Sequence, residues 1–308
     1  MLELKEVPKP TPGPGQVLVQ VRAASVNKLD QHELSGGAVR FFGGGVGKPK
    51  DPRFGADFAG PVEAVGEGVV AFKPGDEVFG SGPGCFAEYV VAKETRVALK
   101  SPSCSFEEAA SIPIAGTTAL QCLRDKGKVQ AGWQVLVNGA SGGVGTFAVE
   151  IAKSLGAEVT GVCSTGNIEQ ALAIGAAHAI DYSKEDFTRQ GKQYDLICDV
   201  ASNRSVGDYK RALKPGGACL VVGFSSFPRL IEHLVLGRIR SSYGTKKVGF
   251  MGIAKINGAD LKFLMDLAES GKLKPVIDRR YPLGETADAL RYLETGHAKG
   301  KIVITVNS

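Results

Sequence analysis

The sequence predicts an α/β protein in two parts, a doubly wound parallel sheet and a smaller, mainly antiparallel β domain. Three observations carry that prediction. The stretch QVLVNGASGGVG at 134–145 reads as a buried strand that runs into a glycine-rich turn and then a helix. From about residue 134 short β-rich runs alternate with helical periodicity through short connections, the pattern of parallel βαβ units. Before residue 92, by contrast, brief alternating strands are broken by Pro and Gly, as in an antiparallel domain or partly open barrel.

In chain order, PTPGPG at 10–15 is a turn cluster, and the strand from Gln16 follows it. Further strands read at 60–66, 77–79 and 86–92, with the turn KPGDE between the first two. The segment SGGAVRFFGGGVGKPKDPRFG at 35–55 is a long loop whose Phe41 and Phe42 suit packing against an apolar ligand. Ser105, three residues before Glu108, starts a helix that runs to Pro113 and bridges the two parts. The alternating region then gives strands at 134–138, 158–163, 177–180, 194–199 and 218–223. A helix follows the glycine-rich turn and runs to 155, and further helices read at 168–174 and 205–213. A last strand is expected at 248–256 and a helix at 258–270, stopped by Gly271, before the strand at 301–306 rejoins the first part. The expected domains are therefore 1–112 with 272–308, and 113–271.

Ala140, Gly142 and Gly145 take the three small-residue positions of a dinucleotide fingerprint, so Ala140, Ser141, Gly142, Gly143 and Val144 are candidate cofactor contacts. Small residues allow a tight turn, let backbone amides approach a pyrophosphate, and seat the helix closely; its N-terminus favours the anion. A glycine-rich loop that binds nothing is the alternative, which the flanking strand and helix disfavour.

Composition narrows the class. The 308 residues suffice for two cores, and 43% hydrophobic with 22% charged residues describes an ordinary globular chain. A net charge of +5 without a concentrated basic run does not imply nucleic acid. No apolar run reaches bilayer length, and MLELKEVPKP carries neither signal nor transit pattern, so a cytoplasmic protein is expected. Six cysteines without a C-x-x-C pair read as buried free thiols rather than disulfides or a zinc site. His178 and His233 sit in no motif, and Arg279–Arg280 reads as a solvated face.

Many ordered motifs carry a family resemblance: SVNKLD at 25–30, FGADFAG at 54–60, VEAVGEGV at 62–69, FKPGDEVFG at 72–80 and CFAEYVVA at 85–92. SFEEAASIPIAGTTAL at 105–120, NGASGGVG at 138–145, LKPGG at 213–217 and KGKIVI at 299–304 complete them. Together they resemble the zinc-free quinone oxidoreductase, or zeta-crystallin-like, branch of the medium-chain dehydrogenase/reductase superfamily. That resemblance implies a GroES-like catalytic domain, a Rossmann domain, and a cleft between the domains; a homodimer formed through the strand at 248–256 is a separate expectation. The implied reaction moves hydride from NADPH to a quinone or to the C=C bond of an enal or enone. Zinc-using relatives carry Cys near the position of Asn27 and a His-Glu pair near Ala56 and Asp57; none of those ligands stands here, so no metal is expected. Relatives also have one more strand before the position of Leu2, and its loss would expose a sheet edge.

The end of the second parallel strand, Cys163 to Asn167, bears no acid. Ser164, Thr165 and Asn167 can donate hydrogen bonds to a 2′-phosphate, and by resemblance Tyr182 lies beside it. Two such bonds would favour NADPH by roughly two to four orders of magnitude. Similar proteins often carry Arg or Lys at Gly166, so NADH use stays open, as does a polar turn whose hydroxyls only cap the helix. At the nicotinamide end the resemblance implies Asn27 beside the reacting ring, with Asp30, Thr117, Gly223, Phe224 and Ser225 nearby; Asp30 is a candidate substrate contact, with a structural role favoured over a catalytic one. Asn27 is also readable as a turn cap. The cleft loop has Phe41 and Phe42 where some relatives have a tyrosine, so water or a ribose hydroxyl is the expected proton source. A non-catalytic NADPH-binding protein, crystallin-like or RNA-associated, is the competing reading.

Overall fold

A computed structural model describes residues 2–35, 53–223 and 245–306. The chain forms two compact units, 1–117 with 255–308 and 118–254.

The first unit is an eight-stranded sheet. Strands β1 (Gln16–Gln20), β2 (Ala23–Val26), β3 (Asp57–Val65), β4 (Glu77–Ser81), β5 (Tyr89–Lys93) and β6 (Val97–Leu99) come first in the chain. Two strands from its other end, β13 (Ile277–Pro282) and β14 (Lys301–Thr305), complete the sheet. The order is β13-β14-β2-β3-β1-β5, with β4 on β3 and β6 on β4. Pairing is antiparallel except between β13 and β14, which run parallel. The final strand rejoins this sheet as expected, with Ile302 opposite Val26. Residues 2–12 form no strand. The core is a set of β-branched and aromatic side chains alternating inward, including Val17, Val19, Phe58, Val78, Val90 and Ile304.

Ser105 caps its helix as the spacing predicts, with Glu108 completing a reciprocal capping box. Pro113 does not end the helical stretch. It starts a second helix, Pro113–Leu120, where its missing N–H and fixed φ suit the first turn, and a wider turn at Gln121–Lys126 extends it.

In the second unit β7 (Gln134–Asn138), β8 (Glu158–Cys163), β9 (His178–Asp181), β10 (Tyr194–Asp199), β11 (Leu213–Val221) and β12 (Lys247–Phe250) form one parallel sheet. Its order, β12-β11-β10-β7-β8-β9, is that of a dinucleotide-binding doubly wound fold. The sequence placed the last strand at 248–256, but pairing stops at Phe250 and 251–256 is irregular. Buried Leu136, Val162, Ile197, Tyr194 and Phe187 fill the core.

Candidate functional site

In the first unit the ends of three strands meet. Asn27 follows β2, Asp57 opens β3 opposite Ser25, and Lys301 opens β14 beside Ile302, whose partner is Val26. Antiparallel pairing therefore brings the starts of β3 and β14 to the two flanks of the end of β2. There Asn27 Nδ2 donates to Asp57 Oδ2 at 2.9 Å, and Lys301 Nζ donates to Asn27 Oδ1 at 2.7 Å. Ser25 Oγ donates to Asp57 Oδ2 at 3.0 Å, the Ile114 N–H donates to Oδ1 at 3.1 Å, and Lys301 Nζ lies 3.7 Å from Oδ2. The amide of Asn27 is thus clamped at both ends, which fixes its orientation.

The cluster is dry. Asp57 and Asp30 are fully buried and Lys301 is 2% exposed, while Asn27 retains 8%. Burial pushes the Asp57 carboxyl above its ordinary range and the Lys301 ammonium below its own, each moderated by the other. Asp30 Oδ2 accepts from the Asn27 N–H at 2.7 Å, while its buried Oδ1 has no hydrogen-bond partner among the described residues. Burial, opposed by that one bond, raises the Asp30 carboxyl from 3.8 to about 8. The folded state therefore holds a proton that an unfolded carboxyl has released. Stability from this group is full below about pH 4 and drains away as pH rises toward about 8. Replacing Asp30 by Asn is expected to flatten the fall in stability over that interval, by up to about 1.4 kcal/mol per pH unit. Denaturant midpoints at pH 5 and pH 8 check this; parallel slopes in the two proteins would contradict it.

Among the described residues no group of three or more His, Cys, Asp and Glu could hold a metal ion. At the end of β2 the donors are an amide and a carboxylate, and the cation between them is the Lys301 ammonium.

In the second unit, β7 delivers the chain into the turn at Gly139, whose φ of 91° suits glycine. A Cβ on Gly145 would stand 2.0 Å from Gly139 O, so the helix Gly143–Ser154 can press against the turn only with glycine there. Gly142 is looser: a Cβ would meet only Gly139 O, at 3.7 Å. The first helical bond is Thr146 N–H to Gly142 O at 3.0 Å, so the amides of Gly143, Val144 and Gly145 form the open first turn. Ala140 is buried, and its N–H bonds Val162 O at 3.0 Å.

Asn167 joins this turn to the end of β8. Its Nδ2 donates to Ser141 Oγ and to Ser164 Oγ, both at 3.1 Å. Each hydroxyl then accepts from the amide, and among the described residues its own proton has no acceptor, leaving it for an anion or a ribose oxygen. Thr165 differs: its hydroxyl donates to Asp181 Oδ2 at 2.5 Å. Sequence inspection found no acid at the end of the second parallel strand, yet strand pairing sets Asp181, from the third, opposite Cys163. Tyr182 is half exposed next to it.

Thr117, in the helix Pro113–Leu120, is buried with Oγ1 unpartnered among the described residues. Gly223 follows β11, where a Cβ would come 2.8 Å from Val200 O. Phe41, Phe42, Phe224 and Ser225 lie outside the described residues, as does His233. His178 is a surface residue whose Nε2 is 3.1 Å from Glu158 Oε1.

Sequence reasoning missed a buried brace at the ends of β7 and β10. Asp199 Oδ1 accepts from Asn138 Nδ2 at 2.8 Å and from Ser202 N–H at 2.9 Å, and Oδ2 accepts from Tyr209 Oη at 2.5 Å. Burial and the adjacent Asp199 charge push the Tyr209 hydroxyl far above its ordinary range, keeping it a donor. An acid closing an apolar strand was the available signal. Lys301 was missed too; a lysine opening an apolar strand is ambiguous until its neighbours are known.

The sequence and the fold are shared with proteins of known kind. The alcohol dehydrogenase GroES-like domain matches residues 13–103, and the zinc-binding dehydrogenase domain matches 174–304. A chloroplastic quinone oxidoreductase of Triphysaria versicolor is 35% identical over 97% of this chain and 92% of its own length. An NADPH-dependent alkenal/one oxidoreductase of Arabidopsis thaliana is 33% identical over 94% of this chain and 72% of its own. The solved quinone oxidoreductase of Coxiella burnetii matches with a TM-score of 0.84 at 32% identity, over 99% of this chain and 95% of that one. The chain is an oxidoreductase belonging to the quinone oxidoreductase branch of the medium-chain dehydrogenase/reductase superfamily, whose members work with NAD(P).

Proposed function

We propose that the enzyme transfers hydride from NADPH, and also accepts NADH, to quinones or to the C=C bond of α,β-unsaturated carbonyls, without a metal. The observation that carries this reading is the Asn167 clamp, which ties the glycine-rich turn to the end of β8 and leaves the hydroxyls of Ser141 and Ser164 free to donate. Those are the positions at which a doubly wound fold meets pyrophosphate and adenosine ribose. The amides of Gly143 and Val144 then face the pyrophosphate, and Ser164 and Tyr182 the 2′-phosphate. The nicotinamide supplies the hydride, delivered to the β-carbon of an enone or to a quinone; one proton from water completes either product. The family resemblance supports assigning Asn27 to the reacting end of the nicotinamide; its amide is held in one orientation by Lys301 and Asp57.

The test follows the loss of NADPH absorbance with a quinone and with an enal. Acceptor-dependent oxidation is expected; binding of NADPH without turnover would move the protein to the non-catalytic reading. Asn27→Ala is expected to lower kcat about 10- to 100-fold with a smaller change in KM for NADPH. A change confined to KM would remove Asn27 from the reacting end.

The proposed assembly is a homodimer in which β12, the edge strand of the parallel sheet, meets its copy. A monomer by light scattering would overturn it. The proposed setting is the cytoplasm, a reducing compartment in which six free thiols persist; none of the described helices is long and apolar enough to cross a membrane.

A further inference from the structure

Asp181 closes β9, where strand pairing sets it beside Cys163 and the turn that follows β8. Three donors hold its carboxylate. Thr165 Oγ1 donates to Oδ2 at 2.5 Å, and Ser183 donates to Oδ1 through its hydroxyl at 2.7 Å and its N–H at 3.0 Å. These bonds, Thr165's first, hold the carboxyl down at about 2, so it is an anion under all working conditions. Lys184 Nζ stands 3.5 Å from Oδ2, but its side chain is 67% exposed against 9% for Asp181, so the pairing is solvent-screened.

Two consequences bear on a nucleotide at this turn. With its proton committed to Asp181, Thr165 can accept a hydrogen bond but not donate one. A ribose 2′-hydroxyl, which can donate, suits Thr165; a 2′-phosphate, which at neutral pH mainly accepts, does not. The fixed negative charge also opposes a phosphate dianion. Against these stand the proton of Ser164 and the half-exposed hydroxyl of Tyr182, two neutral donors with no cation among them. We propose that Asp181 is the residue that sets nucleotide preference in this enzyme, opposing the 2′-phosphate directly and through Thr165, so that NADH is used alongside NADPH. The inference rests on the placement of the adenosine ribose at the end of β8 given under Proposed function.

Gly166 supplies an independent handle. Its φ is not in the left-handed region, and a Cβ there would meet nothing within 4 Å, so a side chain can leave the backbone at this position without a clash.

The experiment is calorimetric titration of the full chain with NADPH and with NADH, repeated on Asp181→Asn and Gly166→Arg. Wild-type dissociation constants within about tenfold of each other are expected. Asp181→Asn should tighten NADPH about tenfold or more, the scale of one hydrogen bond to a charged group, and change NADH little. Gly166→Arg should act in the same direction. An unchanged ratio in folded Asp181→Asn overturns the inference. So does a wild-type preference for NADPH of about a thousandfold or more, a result that needs no variant to fold. Wild-type protein that binds neither nucleotide removes the cofactor reading itself; binding of both with no response to Asp181→Asn removes only this inference.

Discussion

Lys301→Met is expected to destabilise the protein by about 3–5 kcal/mol, the cost of leaving a buried charge without its partner. The lysine is 2% exposed, donates to Asn27 Oδ1 at 2.7 Å and to Val26 O at 3.3 Å, and faces Asp57 at 3.7 Å. Methionine replaces the hydrocarbon stem but no donor, so Asp57 keeps only neutral partners and Asn27 loses the bond that orients its amide. Lys301→Arg, which restores a cation in a bulkier form, should recover part of the stability. Denaturant unfolding near neutral pH provides the measurement. A Lys301→Met protein within about 1 kcal/mol of wild type would mean that the buried charges are already neutralised, and would remove the ion pair from the account of this cluster.

Gly145→Val is expected to weaken nucleotide binding about 10- to 100-fold. Its first side-chain atom would lie 2.0 Å from Gly139 O and 2.9 Å from Ala140 Cα, both backbone atoms that cannot swing aside. Relief requires the helix Gly143–Ser154 to move off the turn, which costs roughly 1–3 kcal/mol by the usual scale of overpacking. The movement also takes the amides of Gly143 and Val144 out of position. Gly142→Ala is the matched comparison, since its added carbon would meet only one atom, at 3.7 Å. Calorimetry with NADPH should therefore separate the two glycines, and equal loss in both would show that the close contact at Gly145 is not what shapes the turn.

These contrasts mark what local sequence can and cannot tell. The parallel sheet was legible because β7, β8 and β10 are short apolar runs bounded by turn residues, and because the Gly139–Gly145 turn has a spacing few other structures need. The capping box at Ser105 was legible for the same reason, as all its bonds fall within four residues. Pro113 misled because proline both ends and begins helices, and only the tertiary setting decides. Asn27 was found by resemblance, yet what holds it, Lys301, lies 274 residues away in the chain. Likewise Asp181 gives no local signal, because only the sheet brings the third strand's last residue to the turn that follows the second. Long-range pairing is invisible to periodicity.

The six thiols acquire a meaning from the chemistry proposed. Quinones and enals alkylate thiolates, so a catalyst that handles them risks labelling itself. Here Cys85, Cys104, Cys122, Cys163, Cys198 and Cys219 are all buried. Burial holds Cys85 and Cys219 well above the ordinary thiol range and Cys104 and Cys163 at about 11, while the neighbouring Cys198 sulfur and burial do the same for Cys122. A chain built this way should emerge unmodified from long exposure to its own electrophiles. Intact-mass spectrometry after incubation with an enal would register any adduct.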